Sequence, residues 1–328
     1  MKKLLLTLAT TIALGQVAVA EEKVALKYSS FLPEMTQTNH VTIPRLKAKL
    51  EELSGGNLSV KSFFGGTLGA GPKTQMRLVK NGVADFAEVP VPYTPGRIKG
   101  INVFELPFVV KNNTDSSLKT LDLIEGGQIK GTDRFVVLGA LQAGPYLIHT
   151  RDKIADLDDL KGKRIRVSGA IQSAIVKEFG AVPVANIPAT QIAENLGRKL
   201  LDGALVDMGN VYNFRIEGET KYHVTNLELG AFSVLFLMNK DKYNSLSDAN
   251  KKVIDTVKGK WFTTEIGKEM DIQAADVLKK LKADDSQHLV ELSKEDVEKA
   301  QKIMEKVISD WTKKNALNAA AYKAVQAK

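Results

Sequence analysis

The chain has no cysteine among its 328 residues. Disulfides and thiolate metal sites are therefore excluded, and stability rests on buried apolar surface. All ten prolines lie between Pro33 and Pro188, so the C-terminal part is free of the residue that most often breaks helices. Aromatic residues are only 6% of the chain, and none belongs to an RNA-binding aromatic motif. No apolar run approaches the roughly 18 residues that a membrane-spanning helix needs. The four histidines, His40, His149, His223 and His288, are far apart. No Gly-x-Ser-x-Gly elbow and no paired-carboxylate motif accompanies them, so no metal, no cofactor and no catalytic centre is expected. The net charge of +8 comes from lysines interleaved with acids, as in KADDSQHLVELSKEDVEKAQK. That pattern is a solvated surface rather than a nucleic-acid footprint.

What is present begins with an address. Lys2 and Lys3, the apolar stretch from Leu4 to Gly15, and the small residues Ala18-Val19-Ala20 form a secretory signal. The signal directs export, and cleavage after Ala20 is expected, which leaves a length comfortable for two domains.

From there the chain alternates short strands with helices. KVALKYSS alternates Val24, Leu26 and Tyr28 against polar residues and reads as a strand. IPRLKAKLEELSGG spaces Ile43, Leu46, Leu50 and Leu53 as a helix, stopped by Gly55-Gly56. NLSVKSFF, TQMRLVKNG and VADFAEV continue as strand, helix and strand. The rhythm restarts after Thr150 with GKRIRV, AIQSAIVKEFG, AVPVANI, ATQIAENLGRKL and GALVDM. Two such units predict an α/β protein of two lobes with largely parallel sheets. The proline-free part reads as helices. One runs from about Ser245 to Asp285 unless Gly259 or Gly267 breaks it, with Ser245 and Asp248 as a capping box. If unbroken it is long enough to brace both lobes. Ser293 and Asp296 form a second capping box. GGTLGAGPKT has phosphate-loop glycines, but Pro72 removes an N–H and puts Lys73 out of register, so a loop entering a helix is the better reading.

LDDLKGKRIRVSGA places Arg166 at the carboxyl end of a strand, just before a helix with Ser168 or Gly169 at its N-cap. Ligands bind at that edge of α/β sheets, and a helix N-terminus favours an anion. A structural salt bridge from Arg166 to Asp159 or Asp207 is the alternative.

LEELSGGNLSVKSFFGGTLG, VKNGVADFAEV, YTPGRIKGINVFELPFVV, IADLDDLKGKRIRV, FGAVPV and LLDGALVD together carry a resemblance. The chain resembles the DctP-type substrate-binding proteins of tripartite ATP-independent periplasmic (TRAP) transporters over essentially its whole exported length. The resemblance implies a two-lobed periplasmic binding fold that closes on an organic acid and delivers it to TRAP permease subunits. It implies one lobe of residues 21–143 plus about 232–270, and a second of 144–231 plus about 271–328, with a long helix across both. It also implies that Arg166 grips the ligand carboxylate and that Glu88 reaches the pocket. Some sugar-acid binders carry a second arginine where this chain has Tyr146, and an asparagine where it has Val206, which points to a less hydroxylated ligand. Asp207, Met208 and Asn210 are expected along the cleft. An exported enzyme acting on a small organic acid, or a ligand-sensing subunit of a receptor, would share this pocket.

Overall fold

The computed structural model describes residues 23–327; the expected signal segment lies outside the described residues. Two sheets form the frame. The first has the order β2-β1-β3-β10-β4, with β1 Val24–Ser29, β2 Leu58–Phe63, β3 Phe86–Pro90, β4 Phe135–Ala143 and β10 Phe232–Asn239. The second has the order β11-β9-β5-β8-β6-β7, with β5 Tyr146–Thr150, β6 Arg164–Arg166, β7 Val182–Val184, β8 Gly203–Asp207, β9 Tyr222–Val224 and β11 His288–Val290. Each sheet with its helices is a lobe.

The expected strands form, and each βαβ unit is parallel: β1 pairs with β2 and β3, and β6 with β7 and β8. The sheets as wholes are mixed rather than largely parallel. β10 runs antiparallel to β3 and β4, and β5 antiparallel to β8 and β9. The reason is connectivity. The chain leaves the first sheet at Ala143 and returns to it at Phe232, so β10 re-enters from the opposite end. The two crossings run side by side, with Tyr146 N–H donating to Gly230 O (2.6 Å) and Leu229 N–H to Tyr146 O (2.9 Å). Gly230 has φ +88°, and a Cβ there would stand 2.2 Å from the Glu105 carbonyl, so only glycine fits this strand of the crossing.

A third connection is a helix. The expected long helix is two: Asp248–Val257 and Lys260–Ala283, parted by Gly259 at φ +68°. Gly267 stays inside the second, which we call the brace helix. Its 24 residues rise about 36 Å. Phe262, Ile266 and Met270 pack with Leu138 and Phe236 of the first lobe, whereas Val277 and Leu281 pack with Ala204 and Val206 of the second. The N-cap of Asp248–Val257 is Ser247, not Ser245, which closes the preceding short helix Lys240–Ser245. Ser293 caps Lys294–Thr312 as expected, accepting from Asp296 N–H at 3.0 Å. Pro72 opens a single 3₁₀ turn before the helix Gln75–Lys80, as its loop reading requires.

Candidate ligand cavity between the lobes

Strand alternation decides which side chains reach the space between the lobes. In β3, Glu88 and Pro90 line a cavity, while Ala87 and Val89 join the core. From the crossings come Ala143, Tyr146 and Phe232; from β10 comes Val234; from the second lobe come Arg166, Ala189 and Asp207. They surround about 580 Å³ of atom-free space, part of it open to solvent. Most of the wall is apolar, including Phe31, Leu141, Phe214 and Met270. This is the usual make-up of a small-molecule site, where a few polar groups orient the ligand.

Arg166 is the one cationic side chain on that wall among the described residues, and it is 1% exposed. Its Nε donates to Ile187 O (3.0 Å) and its Nη2 to the Tyr93 hydroxyl (2.7 Å). Among the described residues no carboxylate pairs with it. The salt-bridge alternative fails on both counts. Asp159 accepts from Ala155 N–H and Asp156 N–H, and Asp207 accepts from Asn210. The guanidinium is therefore held at one edge by neutral acceptors while its charge stays uncompensated by the protein. A planar fork in that condition suits a ligand carboxylate.

Tyr93 was not anticipated. Its oxygen accepts from Arg166 and from Ala189 N–H (3.2 Å), which occupies both lone pairs and frees its own O–H to donate into the cavity. Its ring meets Phe232 edge-on at 5.4 Å, and Tyr146 lies nearly parallel to Phe232 at 6.4 Å. The arginine end of the cavity is thus an aromatic slot. The VPYTP context gave little warning, since Tyr93 and Arg166 are 73 residues apart and meet only when the lobes face each other.

The other anticipated residues divide. Glu88 and Tyr146 are on the wall, and burial pushes the Glu88 carboxyl up to about 7 against hydrogen bonds from Ser30 and Tyr28. Burial raises the Tyr146 hydroxyl too; Arg166 opposes that shift, and Asp207 and Tyr93 reinforce it. Asp207 and Asn210 also reach the wall, bonded to each other at 2.9 Å, with burial lifting Asp207 to about 6. Val206 and Met208 do not reach it. Successive residues of β8 point to opposite faces, and both pack with Val211 and Val277 on the far side.

The helix N-terminus after Arg166 also faces elsewhere. Gly169 is its N-cap, without a side-chain bond to the helix end. Glu105, not a ligand, occupies that end: its Oε2 would stand 3.0 Å from a Cβ on Gly169. The anion-favouring helix end therefore serves a contact between the lobes. Among the described residues no group of three or more His, Asp or Glu could hold a metal ion.

Residues 29–315 match the family of bacterial extracellular solute-binding proteins, family 7, called DctP. A solute-binding protein of Albidiferax ferrireducens is 27% identical over 280 residues, 82% of this chain and 80% of that protein. A TRAP solute-binding protein of an unidentified marine microbe, specific for aromatic acid ligands and crystallised with 3-hydroxybenzoate, is 28% identical. The two share a TM-score of 0.87 over 93% of this chain and 97% of that one. A TRAP periplasmic solute-binding protein of Desulfovibrio salexigens, in an open complex, is 29% identical with a TM-score of 0.80, over 93% and 95%. With most of its length matched and a two-lobed cleft around a buried arginine, the chain belongs to the bacterial extracellular solute-binding proteins of family 7, the DctP-type substrate-binding proteins of TRAP transport.

Proposed function

We propose that this protein captures a carboxylate-bearing organic acid with an apolar, aromatic body and hands it to the membrane subunits of a TRAP permease. The observation that carries the reading is Arg166: a buried guanidinium on a cavity wall, with no carboxylate of the protein beside it. Tyr93 supplies a second donor to the ligand carboxylate. Phe232, Tyr146 and Phe31 take the ring, and an aromatic acid in the marine relative is in keeping with that slot. Bringing a carboxylate to a desolvated arginine supplies charge-assisted hydrogen bonds, and burying the ring adds the hydrophobic term.

In this reading the protein catalyses nothing and uses no cofactor. The lobes are residues 21–143 with about 232–270, and 144–231 with about 271–328. They close about the paired crossings at 143–146 and 229–232, with the brace helix across both. The chain acts in the periplasm after cleavage behind Ala20. Calorimetry with benzoate, phenylacetate and their amides tests the core of the proposal. The acids are expected to bind and the amides to fail, whereas equal binding of the amides would remove the carboxylate from the account.

A further inference from the structure

Glu88 faces Arg166 from the other lobe, and its hydrogen bonds leave one oxygen unused. The Ser30 hydroxyl accepts from Leu32 N–H (3.1 Å) and from Asn39 Nδ2 (3.2 Å), so its lone pairs are taken. Its proton must therefore go to Glu88 Oε2, at 2.8 Å. The Tyr28 hydroxyl donates to Asn39 Oδ1 at 3.0 Å and stands 3.5 Å from Oε2. Glu88 Oε2 is thus fixed as an acceptor by the lobe's own network. Oε1 has no partner among the described residues, and it is not among their fully enclosed unpartnered atoms, so it keeps surface on the cavity that Glu88 lines.

We propose that Glu88 Oε1 is a second recognition point, selecting acids that carry a hydroxyl group at the end remote from the carboxylate. The inference rests on the carboxylate reading above and adds the second functional group. Two arguments choose a hydroxyl. Because Oε2 must accept, any proton the carboxyl holds sits on Oε1; Oε1 is a donor when Glu88 is neutral and an acceptor when it is ionised. A hydroxyl matches either state, since it both donates and accepts, whereas a ketone, an ether or an ammonium matches one. A second ligand carboxylate is disfavoured by charge: the wall has one cation, Arg166, against two carboxyls, Glu88 and Asp207.

The test compares benzoate and phenylacetate with their monohydroxy, monomethoxy and second-carboxyl derivatives by calorimetry, on the wild type, Glu88→Gln and Glu88→Leu. In the wild type the best hydroxy acid is expected to bind about tenfold or more tightly than its parent, the factor a satisfied polar contact supplies. Glu88→Gln, whose amide oxygen can accept from Ser30 while its NH₂ faces the cavity, is expected to keep a preference. Glu88→Leu is expected to bring the ratio near one while still binding the parent acid, which also reports a folded cleft. Should Glu88→Leu not fold, pH decides. Methoxy-acid affinity in the wild type should fall between pH 6 and 8, as Oε1 loses the proton that bonds the ether, and that fall should be much smaller in Glu88→Gln, where Asp207 is the cavity carboxyl left to titrate. The groups that titrate or carry charge around Glu88 are Tyr28 behind it and Arg166, Asp207, Tyr93 and Tyr146 across the cavity, and Glu88→Gln leaves all of them in place. Parent acids binding as tightly as hydroxy acids, a dicarboxylate binding best, or an unchanged ratio in Glu88→Leu would overturn the proposal. If no acid of the set binds, it is the carboxylate reading that fails.

Discussion

At the scale of single residues, two buried polar groups make opposite use of their surroundings. Arg166 is held in place yet left without a counter-charge, and Tyr93 and Ile187 use its donors only on one side. Arg166→Lys keeps the charge but loses the planar fork and the bond to Tyr93. Its affinity for the acid ligand is expected to drop about ten- to hundredfold, the range of one charge-assisted bond of about 1.5–3 kcal/mol. Calorimetry on the folded variant checks this; unchanged affinity would make Arg166 structural. His149 is the opposite case, a core group wholly satisfied by the second lobe. Its Nε2 donates to Val206 O (3.1 Å), so the Nδ1 of the neutral ring is an acceptor facing Nδ1 of His223 at 2.7 Å. Burial, then the nearby His223, pushes His149 down to about 3. The folded ring stays neutral where the unfolded one, near 6.5, takes up a proton. The unfolded state therefore binds more protons below pH 6.5, and stability is lost as pH falls from there toward 3. Relative to His149→Gln, the wild type should lose about 1.4 kcal/mol per pH unit across that window in urea titrations. Parallel curves for the two proteins would contradict the neutral ring.

At the scale of elements, the brace helix shows why one glycine breaks a helix and another does not. Gly259 sits at φ +68° with open space around it, a backbone state that only glycine adopts without strain. Gly267 is helical and buried, and a Cβ there would come 2.6 Å from the Thr114 Cα. Its role is contact. Four residues on, Asp271 accepts from Asn113 N–H and Nδ2 (both 2.7 Å), from Thr114 N–H (3.1 Å) and from Thr114 Oγ1 (2.5 Å), which ties the brace to the start of the helix Asn113–Glu125. Gly267→Ala would gain up to about 1 kcal/mol of helix propensity. It would also force two backbones apart, a cost of about 1–3 kcal/mol in packed interiors, and would loosen the Asp271 bonds. A lower urea midpoint is therefore expected, and a higher one would show that the helices separate freely.

At the scale of the molecule, closure follows from the same arginine. With the lobes together Arg166 is 1% exposed and lacks an anionic partner of its own. Leaving such a charge buried and unpaired costs about 3–5 kcal/mol, enough to favour an open protein until a ligand carboxylate arrives. The ligand-free protein is expected to be larger by small-angle scattering, and its acid ligand to shrink it measurably. An equally compact ligand-free protein, or closure by the amide, would break this account. Export makes a separate expectation: the secreted form should begin at Glu21 by N-terminal sequencing, and a start at Met1 in a membrane fraction would contradict cleavage.

The sequence by itself determined what depends on neighbours a few residues apart. Period-two and helical spacing placed β1, β2, β3, β6 and β8 and the helices between them, and Arg166 stood at a strand's carboxyl end by simple counting. The motifs spread along the chain were enough for the family. Tertiary structure decided what depends on direction and on distant partners. The return crossing at Phe232 made the sheets mixed, because an apolar strand reads the same in either direction. Which face of β8 meets the cavity separated Asp207 from Val206 and Met208, since all five strand residues are buried and no polar alternation marks the inner side. Tyr93 became the partner of Arg166, and Ser30 assigned the oxygens of Glu88, only because residues 73 and 58 positions apart were brought within hydrogen-bond reach. Local spacing carries no signal for such contacts; the Ser30–Glu88 bond exists only once the first lobe has folded, and the Tyr93–Arg166 bond only once the two lobes face each other.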